Sequence, residues 1–231
     1  MSAGLPILAE GDGWVAVAKP GRLLVHRNEF MPRAPAALQI VRDMMGQHVH
    51  LVHRLDHQAS GVLLFALSPE RTKELQAAMQ HPSARKRYVA LVRGAAKGDG
   101  PVTVTNPMKD DEGKERDAIT IVWRLASSED PRCSLLLAEP RTGRFHQVRR
   151  HLRDLHHPIV GDTKHGDSHV NRAFREQWGV ERLALHALSL ELPEAGIAIH
   201  CPLADDLVTP LSRMPWWADV ADQLTHGRMP P

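Results

Sequence analysis

The six successive apolar residues from Val62 to Leu67 constrain this chain more than any other stretch. They have strand length and no polar face, so they read as a strand buried inside a sheet. Upstream, Leu51-Val52 is a second apolar run, and a polar gap, residues 53–61, separates the two. A strand, a loop and a buried strand accommodate all three pieces. The loop holds a single carboxylate, Asp56, with Arg54 and two histidines, His53 and His57, beside it.

The flanking sequence supplies partners for such a strand. Residues 6–10 and 14–19 read as a hairpin closed by Gly11-Asp12-Gly13, because an Asp-Gly step supplies the positive φ of a tight turn. Further strands are expected at 87–93, 102–105, 118–125, 133–138, 184–192 and 197–200. Helices are fewer. Residues 36–45 have helical periodicity and stop at Gly46, and Ser68-Pro69-Glu70 opens a helix that runs to about Gln80. After Pro140, residues Phe145, Val148, Leu152 and Leu155 form one apolar stripe on a helix, and 216–224 reads as a terminal helix. This pattern predicts an α+β fold with a largely antiparallel mixed sheet and flanking helices. A chain of 231 residues that is 42% hydrophobic suits one core, so 1–231 is expected to be a single domain.

Charge points to a polyanionic partner. The last 51 residues hold 3 basic and 7 acidic side chains, leaving 26 and 20 in the first 180. Five arginines (Arg141, Arg144, Arg149, Arg150, Arg153) fall within 141–153 without one acid, and Arg85, Lys86 and Arg87 form a second group. Arg149 falls at the border of the apolar stripe, where a guanidinium needs a carboxylate or phosphate to offset its desolvation. Arg150 and Arg153 point further out and can meet phosphates. Tyr88, the chain's one tyrosine, stands among bases at the head of a strand and can stack on a nucleobase. Cys133 and Cys201 are isolated thiols, which suits a reducing cytoplasm. No stretch approaches a membrane span and the N-terminus lacks a signal pattern, so a soluble, cytoplasmic protein is expected. His53, Asp56 and His57 could be read as metal ligands, but they share one short loop and lack a second ligand motif such as HExxH; no metal site is expected.

Four segments together resemble a known family. HRLDHQASGVLL resembles the catalytic-aspartate loop of the RNA pseudouridine synthases related to the ribosomal large-subunit uridine synthases. RKRYVALVRG is similar to that family's tyrosine motif, TGRFHQVRRHL to its arginine motif and AVAKPGRLLVHR to its Lys-Pro motif, all in the family's order over about residues 7–203. The resemblance implies a pseudouridine synthase domain with a central active-site cleft, no cofactor and no obligatory protein partner. No separate N-terminal RNA-binding domain is expected, since the chain enters the catalytic fold almost at once.

It also implies roles. Asp56 is the catalytic carboxylate, Arg149 its ion-pair partner, Tyr88 the residue packed against the target uracil, and Arg54 the filler of the space left by a flipped base. His53, Arg144, His146, Arg150, Arg153, Lys86 and Lys19 are the remaining expected contacts to substrate RNA. The reaction that the resemblance implies detaches uracil from C1′, turns it and rejoins it through C5. Two departures stand out. Gln58 and Ala59 replace the usual loop residues, and GDTKHGDSHVNR has histidine where many relatives have tyrosine. The second stretch is similar to the tRNA-acting branch of the family, which modifies uridine 65 of the T stem, so tRNA is expected over rRNA.

Overall fold

The structure is a computed structural model and describes residues 4–27, 29–110 and 112–227. The expected 1–231 domain thus includes residues 1–3, 28, 111 and 228–231, which lie outside the described residues.

The strands are β1 (Ile7–Gly11), β2 (Trp14–Lys19), β3 (His50–Leu51), β4 (Ser60–Ala66), β5 (Arg85–Arg93), β6 (Val102–Val104), β7 (Met108–Lys109), β8 (Glu115–Arg116), β9 (Thr120–Glu129), β10 (Arg132–Pro140), β11 (Leu185–Leu192) and β12 (Ile197–His200). The helices are α1 (Ala37–Met45), α2 (Pro69–Gln80), α3 (Gln147–Asp154), α4 (Ser168–Trp178), α5 (Asp205–Leu211) and α6 (Trp217–His226). Ten strands form one sheet with the path β1-β2-β4-β11-β5-β10-β9-β6, β3 beside β4 and β12 beside β11. Every pairing in it is antiparallel except β4 with β11.

The apolar run owes its character to this position. All seven residues of β4 are buried. Val62, Leu64 and Ala66 pack with Leu75 and Ala78 of α2, whereas Leu63 and Phe65 face Val41 of α1 and Leu55. Burying each large side chain contributes about 1.5–3 kcal/mol, so this strand anchors both faces of the sheet. Local signals fix the helices that cover it: Ser68 Oγ accepts the Arg71 N–H at 3.1 Å, and Gly46 closes α1 at φ 64°.

The parallel joint positions the site. Ser60 and Gly61 pair with His186 and Ala187, and Ala187 pairs in turn with Tyr88. The loop before β4 therefore stands over the strand that carries Tyr88. Gly61 has φ 117°, and a Cβ there would lie 2.2 Å from the Ala187 carbonyl oxygen, so this approach requires glycine.

Three expectations are corrected. Phe145 lies outside the stripe: it precedes α3 and is half exposed, because His146 adopts a left-handed conformation (φ 54°) and the helix starts at Gln147. Helices α4 and α5 and the β7–β8 hairpin add to the expected elements. Only Asn171 and Phe174 are buried in α4, and α5 has seven residues with Pro210 inside, so neither presents a clear apolar stripe. The second basic group is also partly neutralised. Arg85, Arg87 and Arg141 all surround the buried Glu139 carboxylate at 3.5, 2.9 and 2.7 Å.

Candidate active site

The loop at 53–59 is held by groups from distant segments. His53 Nε2 accepts the Leu64 N–H at 3.2 Å, and the Ala59 N–H donates to the Asp56 carbonyl at 3.1 Å, turning the chain. Burial pulls the His53 pKa down to about 4, so the ring is a neutral acceptor. Beneath the loop, Lys19 is 1% exposed and its Nζ donates to the carbonyls of Pro20, Leu23 and His57 at 2.9, 2.8 and 3.2 Å. Lys19 was expected to contact RNA, but every donor of its ammonium is already used inside the protein. Burial, with Arg182 adding to it, lowers its pKa to about 7, while Asp56 acts in the other direction. Three carbonyl acceptors need three N–H donors, which only the charged amine has.

A second buried cation holds the other end of the loop. Arg182, 4% exposed, donates to the Gln58 carbonyl at 3.2 Å and to Ser60 Oγ at 2.9 Å, and forms a two-bond pair with Asp206 at 2.6 Å. Since Ser60 Oγ accepts from Arg182, its proton is free for His186 Nδ1 at 2.9 Å, and His186 Nε2–H then reaches the Cys201 carbonyl at 3.0 Å. Burial holds His186 neutral, with its pKa down to about 4.

These supports aim Asp56 at one end of α3. Asp56 Oδ2 accepts from Arg149 Nη1 at 2.9 Å, and its other oxygen, Oδ1, lies 3.7 Å from His146 Nε2. Arg149 is 8% exposed and also donates to Asp162 from Nε (2.7 Å) and Nη2 (2.8 Å). Asp162, 1% exposed, takes the backbone N–H groups of Lys164 and His165 as well. Burial alone would raise the Asp162 pKa; the bonds from Arg149 and these N–H groups outweigh it and hold it below the usual carboxylate range. One guanidinium thus joins two carboxylates, one fully buried and one open to a cavity.

That cavity measures about 490 Å³, and Arg54, Asp56, Lys86, Tyr88, His146 and Arg149 are in its wall. Burial, then the charge of Asp56, push the Tyr88 pKa upward, so the phenol keeps its proton. Burial, with Arg141 nearby, lowers that of Lys86. At the mouth, exposed Phe145 stacks on His146 with ring centres 3.7 Å apart, and the Arg54 guanidinium and Lys164 ammonium sit 5.9 and 5.3 Å from its centroid. The side chain of Gln147 ties the 142–144 turn, accepting from Thr142 Oγ1 at 2.7 Å and the Arg144 N–H at 2.9 Å. Arg144, exposed, donates to the Asp117 carbonyl, Arg153 pairs with Asp154, and Arg150 has no ion pair among the described residues.

The structure therefore gathers Asp56, Tyr88, Arg149, Arg54, His53, Arg144, His146 and Lys86 around one cavity. It leaves Arg150 and Arg153 on the outer surface of α3 and Lys19 beneath the loop. Sequence reasoning missed Asp162, Arg182, Phe145 and His165. The need of Arg149 for anionic partners was the one signal that could have led to Asp162. Among the described residues, no group of three or more His, Cys, Asp or Glu side chains converges as metal ligands would.

The profile of the family described as RNA pseudouridylate synthase matches residues 13–154, which span β2, the Asp56 loop, Tyr88 and α3. The chain belongs to that family. This synthase is 40% identical over 203 residues to the tRNA pseudouridine synthase C of Pasteurella multocida, covering 79% of this chain and 83% of that protein. It is 41% identical over 202 residues to the protein of the same name from Haemophilus ducreyi. Among solved structures it resembles human RNA pseudouridylate synthase domain containing 4, with a TM-score of 0.72, 26% identity and coverage of 90% and 92% of the two chains. Human RNA pseudouridylate synthase domain containing 1, at 23% identity and TM-score 0.68, shares the fold. The synthase is an isomerase that acts on uridine in RNA. Asp162, His165, Arg182 and Asp206, which brace its site, all lie beyond the matched segment.

Proposed function

We propose that this synthase isomerises a uridine in the T stem of tRNA, with Asp56 as the catalytic carboxylate. One observation carries the reading: Arg149 occupies Oδ2 of Asp56, while the same carboxylate borders a cavity whose wall includes an aromatic ring, Tyr88. A flipped uracil fits between them, its face against Tyr88 and its sugar or ring toward Oδ1. Arg54, exposed beside Phe145 at the cavity mouth, is placed to fill the vacated stack. Arg144, Arg150, Arg153 and Lys86 then meet phosphates. The tRNA assignment rests on the two relatives at about 40% identity that are named for tRNA. Two buried free thiols, Cys133 and Cys201, suit action in the cytoplasm.

The test is to map pseudouridine by carbodiimide-dependent primer extension in RNA from cells with the gene, without it, and with Asp56→Asn in its place. A T-stem signal present only with the intact gene supports the proposal. An rRNA signal lost instead moves the enzyme to a ribosomal substrate, and an Asp56→Asn strain with normal signal removes Asp56 from the chemistry.

A further inference from the structure

Behind His146 stands a second imidazole that no role in uridine chemistry has yet used. His165 Nε2 lies 3.0 Å from His146 Nδ1, and the rings meet edge to face, 5.3 Å apart at 86°. His165 is half-buried on the turn that follows Asp162, and its backbone N–H donates to Asp162 Oδ1 at 2.9 Å. The buried carboxylate that fixes Arg149 therefore also fixes this second ring. His146 itself is held at φ 54°, with Phe145 stacked on its face.

The proton between the two rings has a determined direction. Of the two nitrogens of a neutral imidazole, one donates and the other accepts. If His146 Nδ1 donated to His165, His146 Nε2 would present a lone pair to Asp56 Oδ1 at 3.7 Å, which an anion opposes. With the proton on Nε2, the N–H dipole points at the carboxylate and Nδ1 becomes the acceptor of a His165 Nε2–H. The surrounding charges agree on a neutral pair. Asp56 favours a proton on His146 and Asp162 one on His165, whereas Arg149 and Lys164 oppose it at both rings and Arg153 at His165. Burial first, then Arg149, His165 and Lys164, pull the His146 pKa down to about 4 against the pull of Asp56.

We infer that His165 is a positioning residue for Asp56: it holds His146 as the neutral tautomer whose Nε2–H faces the unpaired carboxylate oxygen. This inference rests on the assignment of Asp56 as the reacting group. At 3.7 Å the N–H is too far to claim Oδ1 as a hydrogen-bond acceptor, so the oxygen keeps its lone pairs for the substrate while its direction is set. Arg149 restrains the carboxylate at Oδ2 and His146 faces it at Oδ1, so the rotation of the carboxylate is restricted from both sides. Sequence reasoning noted position 165 only as a histidine where tyrosine is common. The bond to His146 gives that residue a specific task, which any side chain with a donor at the same point could share.

The experiment compares His165→Leu, which has no donor, with His165→Gln, whose amide can donate to Nδ1. Histidine-selective ¹⁵N labelling and long-range ¹H–¹⁵N spectra read the His146 tautomer directly, with the resonance assigned through its loss in His146→Gln. Steady-state tritium release from C5-labelled tRNA gives kcat and KM. The expected result is a proton on His146 Nε2 in the wild type and in His165→Gln. In His165→Leu, where Asp56 alone favours that tautomer, the Nε2–H population falls, and kcat falls about 5-fold at unchanged KM, as for one neutral hydrogen bond. Glutamine restores most of kcat. A wild-type His146 protonated on Nδ1, a leucine variant with wild-type spectrum and kcat, or a folded glutamine variant as impaired as leucine would each overturn the inference. An inactive wild type with the expected tautomer would instead count against the proposed function, so the two readings fail separately.

Discussion

Replacing Arg149 by methionine keeps the length of the side chain and removes the cation that joins Asp56 to Asp162. The two carboxylates are affected unequally. Asp56 has a side chain 22% exposed and can turn toward cavity water, whereas that of Asp162 is 1% exposed and cannot. The cost arises chiefly at Asp162. Breaking a buried pair by removing one partner costs about 3–5 kcal/mol. In a chain of this size each kcal/mol moves the melting temperature by about 2–4 °C, so the variant melts about 6–20 °C lower at neutral pH. The loss depends on pH. In the wild type Asp162 has a pKa below its ordinary value, so its contribution is complete above the unfolded pKa and is lost as pH falls through the folded one. In Arg149→Met the folded carboxyl protonates more readily, so the gap to wild type narrows as pH falls from 7 toward 4. Thermal melts followed by circular dichroism at several pH values measure both effects. Arg149→Met/Asp162→Asn, which also removes the buried anion, should recover part of the stability and none of the activity. A drop of less than about 2 °C, or a double variant no more stable than the single one, would refute the idea that Arg149 compensates a buried charge.

Tyr88→Phe should bind tRNA and form product-like linkage yet release tritium slowly from C5-labelled uridine, whereas Tyr88→Leu, without an aromatic face worth about 1–3 kcal/mol per stacked base, should fail before that step. Near-normal tritium release from the leucine variant would withdraw Tyr88 from the site. Arg150→Gln combined with Arg153→Gln should flatten the salt dependence of tRNA binding by about one unit of slope for each phosphate no longer neutralised, and a wild-type slope would take both residues off the interface. His53, His146 and His186 all have pKa values lowered to about 4 from 6.5, so the unfolded chain takes up protons first. Stability should therefore fall from about pH 6.5 downward, by on the order of 1.4 kcal/mol per pH unit for each histidine, and a urea midpoint unchanged between pH 7 and 5 would contradict neutral rings in the fold.

What could be read from the chain was local. The uninterrupted apolar run at 62–67 implied a buried strand, and β4 alternates its side chains into two cores. The loop around Asp56 and the helix with Arg149 each lie in a short segment whose order matched a known pattern, and the structure brings them to 2.9 Å. What could not be read depended on convergence. Lys19 stands beside a proline and near other bases, and buried lysines are rare enough that a surface role was the natural expectation. Only the meeting of the Pro20, Leu23 and His57 carbonyls makes it a clamp. Phe145 was assigned to an apolar stripe because the spacing fits; the left-handed turn at His146 breaks the register one residue later and sends the ring to the cavity mouth.

The catalytic loop illustrates why such supports escape a linear reading. A carboxylate with an exposed edge needs its backbone held, and here the holding groups come from both sides of it in the chain. Lys19 grips the His57 carbonyl from β2, before the loop, and Arg182 grips the Gln58 carbonyl and Ser60 from just ahead of β11, long after it. Neither cation touches the cavity, and each offsets its own burial through partners elsewhere: backbone carbonyls for Lys19, Asp206 at the start of α5 for Arg182. Asp206 is half-exposed, so its pair with Arg182 connects the surface of the C-terminal region to the backbone next to Asp56. Removing Asp206 would leave the buried Arg182 without its anion, so a defect there would first appear as a looser loop at Gln58 and Ser60. The chemistry of the site is thus written in short motifs, and the groups that hold it are spread from Lys19 to Asp206.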